Sequence, residues 1–172
     1  YEHRGYTSRA KELYQRIKEL SSTTDTTQEL EHLTAQVLFF IDDGNDAAAL
    51  KATNELVSSY GSHPRLPRAL FEISRKYYQR GRTVVDEALK HDTPLDEAGQ
   101  AAAAESFTKT VTIARKIFTQ VPQLSEDMTV EAYHLTAECY RRLKDYAKAA
   151  CCYQEVVRRS PKFKFAGHAQ FM

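Results

Sequence analysis

Residues 131–161 read EAYHLTAECYRRLKDYAKAACCYQEVVRRSP, and this stretch decides the fold. Tyr133, Ala137, Tyr140 and Leu143 recur at spacings of four, three and three, which puts them on one face of a helix. Lys144 and Asp145 interrupt that face. Tyr146, Ala149, Tyr153, Val156 and Val157 then form a second face, closed by Ser160 and Pro161. Proline cannot continue a helix without losing a backbone hydrogen bond and clashing with the preceding turn. Two amphipathic helices joined by so short a break must lie antiparallel against each other.

The same pattern recurs up the chain. A shift of 100 residues sets Tyr140 on Phe40, Ala137 on Val37, Tyr133 on Leu33, Ala149 on Ala49 and Val156 on Leu56. Between the two faces of this copy lies Asp42-Asp43-Gly44-Asn45, a strong turn sequence. A third copy is stretched. Tyr77 corresponds to Tyr140 at an offset of 63, whereas Phe107, Thr110, Ile117, Phe118 and Pro122 correspond to Tyr146, Ala149, Val156, Val157 and Pro161 at an offset of 39. The difference is an insert of 24 residues. The pattern predicts two lengthened helices, about 65–91 and 94–120, with Thr93 as N-cap and Pro94 at the first helical position. Upstream, Ala10, Tyr14, Gln15 and Ile17 match Ala149, Tyr153, Gln154 and Val156.

The unit resembles a tetratricopeptide repeat. That family places a large aromatic, a small residue and a tyrosine on its first helix. Its second helix carries an alanine, an aromatic and a small or apolar residue, with a closing proline. Tyr133, Ala137, Tyr140, Ala149, Tyr153, Val156 and Pro161 occupy those places in register, with Thr136 and Val156 standing where leucine and alanine are common. The alanines permit close helix approach and the aromatics fill the space around them.

The resemblance implies an all-α superhelix of about three antiparallel helical hairpins. It divides into a half-repeat at 5–20, a repeat at 28–61, an extended repeat at 65–122, a repeat at 126–161 and the start of another at 163–172. A pattern cut in mid-repeat at both ends is the expectation for a window from a longer solenoid, because a complete one carries polar capping helices. Phe163, Phe165 and Phe171 make no polar cap, so end-to-end self-association of the half-repeats is a further expectation.

Composition fits such a chain and excludes other classes. The 172 residues are 42% hydrophobic and 27% charged, and only 6 Gly and 5 Pro interrupt the long segments. The longest apolar run, residues 37–41, is far short of a membrane span. The net charge is +1, and residues 126–172 hold eight Lys or Arg against six acids. That near-balance argues against nucleic acid as partner, since phosphate binding needs a concentrated basic surface.

No catalytic motif is present: no phosphate-cradling glycine loop, no Gly-x-Ser-x-Gly elbow and no His-Glu-x-x-His. His134, Cys139, Cys151, Cys152 and His168 lack the paired spacing of a structural zinc site, so neither metal nor cofactor is expected. Cys151 and Cys152 are helical neighbours about 100° apart and read as ordinary thiols. The carboxylates of Glu131 and Glu138, and of Asp96 and Glu97, read as solvated or helix-start residues rather than acid–base pairs.

Recognition of a protein or peptide is what the family implies. Its first helices line a concave groove. Carried across by register, the groove candidates are Thr34, Leu38 and Ile41 in the first full repeat, Phe71, Arg75 and Tyr78 in the extended one, and Glu131, His134, Glu138 and Arg141 in the last. Packing between adjacent repeats is the competing reading for the apolar members of this set. The family's Lys and Asn clamp for terminal carboxylates has no counterpart here. Two other roles stay open: a scaffold for a small molecule or glycan, and a support for an enzyme domain elsewhere in a longer chain. The repeat around Pro161, followed by Ala166 and Ala169, is similar in flavour to repeats of bacterial envelope-assembly proteins, which leaves cytoplasm and periplasm both open.

Overall fold

The computed structural model describes residues 26–120 and 124–161. The proposed half-repeat at 5–20 and the segment 163–172, like Pro122, lie outside the described residues. Those described form six helices and no strand: α1 Thr26–Asp42, α2 Asp46–Tyr60, α3 Leu66–Lys90, α4 Glu97–Gln120, α5 Glu126–Arg142 and α6 Tyr146–Arg159. Each consecutive pair packs as a hairpin, α1 with α2, α3 with α4 and α5 with α6. The first helices α1, α3 and α5 also meet side by side, and α4 packs on α5. The chain is an all-α helical-repeat fold.

The turn that closes the first helix is built twice, 100 residues apart. Gly44 and Lys144 both adopt left-handed backbone, at φ 72° and 62°. The next residue donates its N–H back to the helix in each case, Asn45 to Phe40 O at 2.8 Å and Asp145 to Tyr140 O at 2.9 Å. Its side chain then caps the following helix. Asn45 Oδ1 accepts from Ala48 N at 3.2 Å, and Asp145 Oδ1 accepts from Lys148 N at 3.3 Å. A left-handed residue after the last turn satisfies carbonyls that the helix leaves open, and glycine adopts that conformation at least cost.

The packed positions also coincide. Val37 and Ala137, Ala49 and Ala149, and Leu56 and Val156 are all buried. Thr53 and Tyr153 occupy matching places in two different ways. Thr53 is fully buried and donates to Ala49 O at 2.7 Å, while Tyr153 sends its hydroxyl across to Glu138. The main core gathers side chains from α1, α2, α3, α4 and α5, among them Leu56, Leu66, Leu70, Ile73 and Ile117, each fully buried. Truncating any of these to alanine should cost about 2–5 kcal/mol.

The middle hairpin is the long one. Its helices run 25 and 24 residues, against 17, 15, 17 and 14 in the others. At 1.5 Å per residue its arms reach roughly 10 Å further than their neighbours. The second arm starts later than the sequence pattern predicts. Thr93 is not its N-cap, nor Pro94 its first residue, for α4 opens at Glu97. Asp96 takes the cap instead, its Oδ1 accepting from Gly99 N at 2.7 Å. Thr93 spends its hydroxyl on His91 O at 3.0 Å, in a tip that turns through left-handed Asp92. A carboxylate at the positive end of a helix outcompetes a hydroxyl already engaged elsewhere.

The two arms pack tightly at Gly81, which is buried in α3. A Cβ there would stand 2.9 Å from Phe107 Cε1 and 3.1 Å from Ser106 Cβ. Only glycine lets α4 lie this near.

Candidate functional site

The first helices of the first two hairpins frame an open groove of about 540 Å³. Its lining comes from one face of α1, with Leu30, Glu31, Thr34, Ala35 and Leu38, from Arg65 just before α3, and from the start of α3, with Arg68, Ala69 and Glu72. The arrangement follows from helical period. Glu31, Ala35 and Leu38 lie on successive turns, as do Arg65, Arg68 and Glu72. Alanines at 35 and 69 keep the floor low between the two helices. The rim charges are already paired. Arg65 reaches Glu31 at 2.5 Å, and Arg68 meets Glu72 at 3.2 Å. Both pairs stand in water and are weak and exchangeable. The groove thus offers an apolar floor and a rim of balanced charge.

A second, smaller cavity of about 290 Å³ follows along α3. It is lined by Arg75, Tyr78, Gln79, Arg82, Thr83 and Asp86. The Tyr78 ring lies 5.7 Å from Phe107 of α4, tilted at 52°. It is half-buried on the cluster of Ala103, Phe107, Val111 and Cys139. Burial pushes its hydroxyl above the usual phenol range, with Glu138 adding to the rise and Arg142 and Arg82 opposing it.

On α5 the candidates form a third group. Glu131 is exposed, while His134, Glu138 and Arg141 are half-buried. Arg141 donates to Glu138 at 2.9 Å, and Tyr153 donates to the other carboxylate oxygen. Burial pushes the Glu138 carboxyl up, but these two hydrogen bonds outweigh it and leave the group below the usual carboxylate range. The His134 ring stands edge-on to Tyr153 at 6.2 Å, and burial holds its pKa down against the pull of Glu138.

The structure sorts the sequence-based candidates accordingly. It brings Thr34 and Leu38 together in the groove, and Arg75 and Tyr78 together in the second cavity. Ile41 is corrected: at 1% exposure it belongs to the core and presents no surface. Its position three residues beyond Leu38 turns it toward α2 and α3 rather than outward. Thr34 lines the groove at only 6% exposure, its hydroxyl spent on Leu30 O at 2.7 Å. Phe71 is half-buried against the main core and lines neither cavity.

Sequence reasoning passed over Glu31, Ala35, Arg65, Arg68, Ala69 and Glu72. Ala35 and Arg68 carried a signal, since each lies one helical turn before a named candidate, Leu38 and Phe71. Among the described residues no cluster of three or more His, Cys, Asp or Glu is placed to hold a metal ion. None of the described helices is long and apolar enough to cross a membrane.

In comparison with known families, residues 131–162 match the family model of the tetratricopeptide repeat. No curated protein and no solved structure matches the chain significantly.

Proposed function

We propose that this chain, whose residues 131–162 are a tetratricopeptide repeat, is a protein-interaction scaffold that takes a helical or extended segment of a partner along the first helices of its hairpins. The carrying observation is the groove between α1 and α3, with its apolar floor and paired rim. A groove open to solvent between two helices suits a chain segment laid along it, whereas small-molecule sites are concave and enclose most of their ligand. Apolar side chains of the segment would displace water from Leu38, Ala35 and Ala69. Its polar groups would exchange with the exposed rim pairs at little cost. No catalytic step is assigned, in keeping with the general role of such repeats as scaffolds.

Selection of peptides from a displayed library on the full chain tests this reading. Ala35 is exposed, so Ala35→Glu leaves the core untouched while placing a charge on the groove floor. Leu50, on α2, is also exposed and outside the groove. Selected peptides should lose at least about tenfold in affinity on Ala35→Glu and none on Leu50→Glu. Peptides indifferent to Ala35→Glu would place binding elsewhere and overturn the proposal.

A further inference from the structure

The projecting tip of the long hairpin and the turn between α5 and α6 stand at the same end of the molecule. Leu143, in that turn, shares an apolar cluster with Val84 and Val85, one helical turn short of the tip. Between the last turn of α3 and the tip loop lies an open cleft of about 440 Å³, lined by Ala88, Pro94 and Leu95 together with Glu87, His91 and Asp96. Leu89, next to Ala88, is 72% exposed. Residues 86–97 hold five acids, Asp86, Glu87, Asp92, Asp96 and Glu97, against Lys90 alone, in a chain whose net charge is +1. Asp92 and Glu97 are exposed and make no ion pair among the described residues. The α5–α6 turn has the opposite character. Tyr146 is 63% exposed, although the sequence pattern assigns it to a packed face and its counterpart in the long hairpin, Phe107, is buried. Around it Arg142, Lys144 and Lys148 outnumber Asp145. Lys144 is exposed without an ion pair among the described residues, and Lys148 has one ion pair, with Asp145 at 2.6 Å. Leu89 and Tyr146 are two of the three large apolar side chains that the described residues leave exposed, the third being Leu50.

We infer that a second copy of this chain occupies the tip cleft: Tyr146 of one copy enters the cleft of the other, and the Lys144 and Lys148 beside it meet Asp92 and Glu97. A tyrosine ring joins a large apolar body to a polar hydroxyl, which suits a cleft of alanine, proline and leucine edged by carboxylates. Because both surfaces stand at one end of the molecule, each copy offers both, and the contact is made twice about a twofold axis. The step of roughly 10 Å by which the long arms outreach their neighbours leaves room over each α5–α6 turn for the tip of the other copy. Charge selects this occupant. An acidic tip repels nucleic acid and anionic membranes, whereas the α5–α6 turn couples an exposed aromatic to surplus positive charge. Exposed ion pairs contribute little one by one, so the apolar contact of Tyr146 and Leu89 holds the copies together and the lysines and carboxylates fix which surfaces meet. A dimer of this kind does not depend on what the α1–α3 groove binds, and it sets two such grooves in one particle.

Light scattering and sedimentation of the full chain over a range of concentrations test this. At low ionic strength the mass should rise toward twice that of one chain, and added salt should lower it. Tyr146→Ser and Leu89→Ser, both at exposed positions, should each weaken the dimer at least about tenfold, and Leu50→Ser should leave it unchanged. Charge reversal reads the pairing directly. A chain carrying Asp92→Lys with Glu97→Lys, and another carrying Lys144→Glu with Lys148→Glu, should each be monomeric alone. Mixed, they should form a heterodimer, because the basic tip of the first meets the acidic turn of the second while the reverse contact keeps its native charges. Circular dichroism melts check that the variants fold, and Tyr146→Ser keeps the test decisive if a charge-reversed chain does not. A parent chain that stays monomeric at every concentration, a dimer indifferent to Tyr146→Ser, or folded charge-reversed chains that fail to pair would overturn the inference. A dimer that survives each reversal alone would lie on another surface, such as the chain ends, and would overturn it equally.

Discussion

Arg80 holds the Asp46 carboxylate in a two-pronged grip, with Nη1 on Oδ1 at 2.9 Å and Nη2 on Oδ2 at 3.0 Å. The same guanidinium donates from Nε to Ser106 Oγ at 3.2 Å and reaches Ile41 O at 3.4 Å. Lys109 and Tyr77 also donate to Asp46. One carboxylate at the start of α2 thus joins the first hairpin to both arms of the long one. Through the Ile41 carbonyl the junction also reaches the end of α1.

Removing the guanidinium while keeping its bulk should loosen this junction. Arg80→Met leaves Asp46 with Lys109 and Tyr77 only, and should cost about 2 kcal/mol in urea unfolding, since side chains of 29% and 26% exposure are partly screened. An unchanged midpoint would mean that the network contributes no net stability.

The same carboxylate sets an acid limit. Burial pushes Asp46 up, but hydrogen bonds and charge from Arg80 and Lys109 outweigh it and bring its pKa from 3.8 down to about 2. A carboxyl lowered on folding contributes stability that is complete above its unfolded pKa and is lost as pH falls through its folded one. Stability should therefore decline between about pH 4 and pH 2, with Asp46 accounting for at most ~2 kcal/mol. Asp46→Asn should flatten that part of the profile in urea titrations. A profile identical to the parent's would assign the decline to other carboxylates such as Glu138.

The close approach at Gly81 makes a steric prediction. Gly81→Val drives a branched side chain into Phe107 and Ser106 and should cost about 1–3 kcal/mol. Gly81→Ala should cost less, because better helix propensity offsets part of the clash. Thermal melts in which the valine variant matches the parent would show that the arms separate freely.

The doubled turn gives a prediction of opposite signs. Lys144 pays for a left-handed backbone that glycine adopts freely, so Lys144→Gly should stabilise by about 0.5–1 kcal/mol. Gly44→Ala should destabilise by about 1 kcal/mol. Shifts of the same sign in both variants would contradict the shared geometry.

The fold class was legible because its signals are local. The run from Tyr133 to Val157 and its echo 100 residues earlier state helical period, small packing residues and turn chemistry in one register. The start of α4 was misread because Thr93-Pro94 and Asp96 are both plausible caps in sequence. Only the tip geometry, with Thr93 engaged on His91 and Asp92 left-handed, decides between them. Ile41 was misplaced for a related reason. It lies one turn beyond Leu38 and seven positions beyond Thr34, on nearly the same helix face as Thr34, and both are buried. The Asp46, Arg80 and Lys109 junction left no trace in sequence, because its members are 34 and 63 positions apart and meet only after three helices pack.

The central claim is that the face made by α1 and α3 binds a protein segment, and a groove-directed crosslink tests it most directly. A photoreactive benzophenone side chain at position 35, in the groove, should crosslink a library-selected peptide, and the same group at position 50 on α2 should not. Equal crosslinking from both positions, or crosslinking from position 50 alone, would contradict the account.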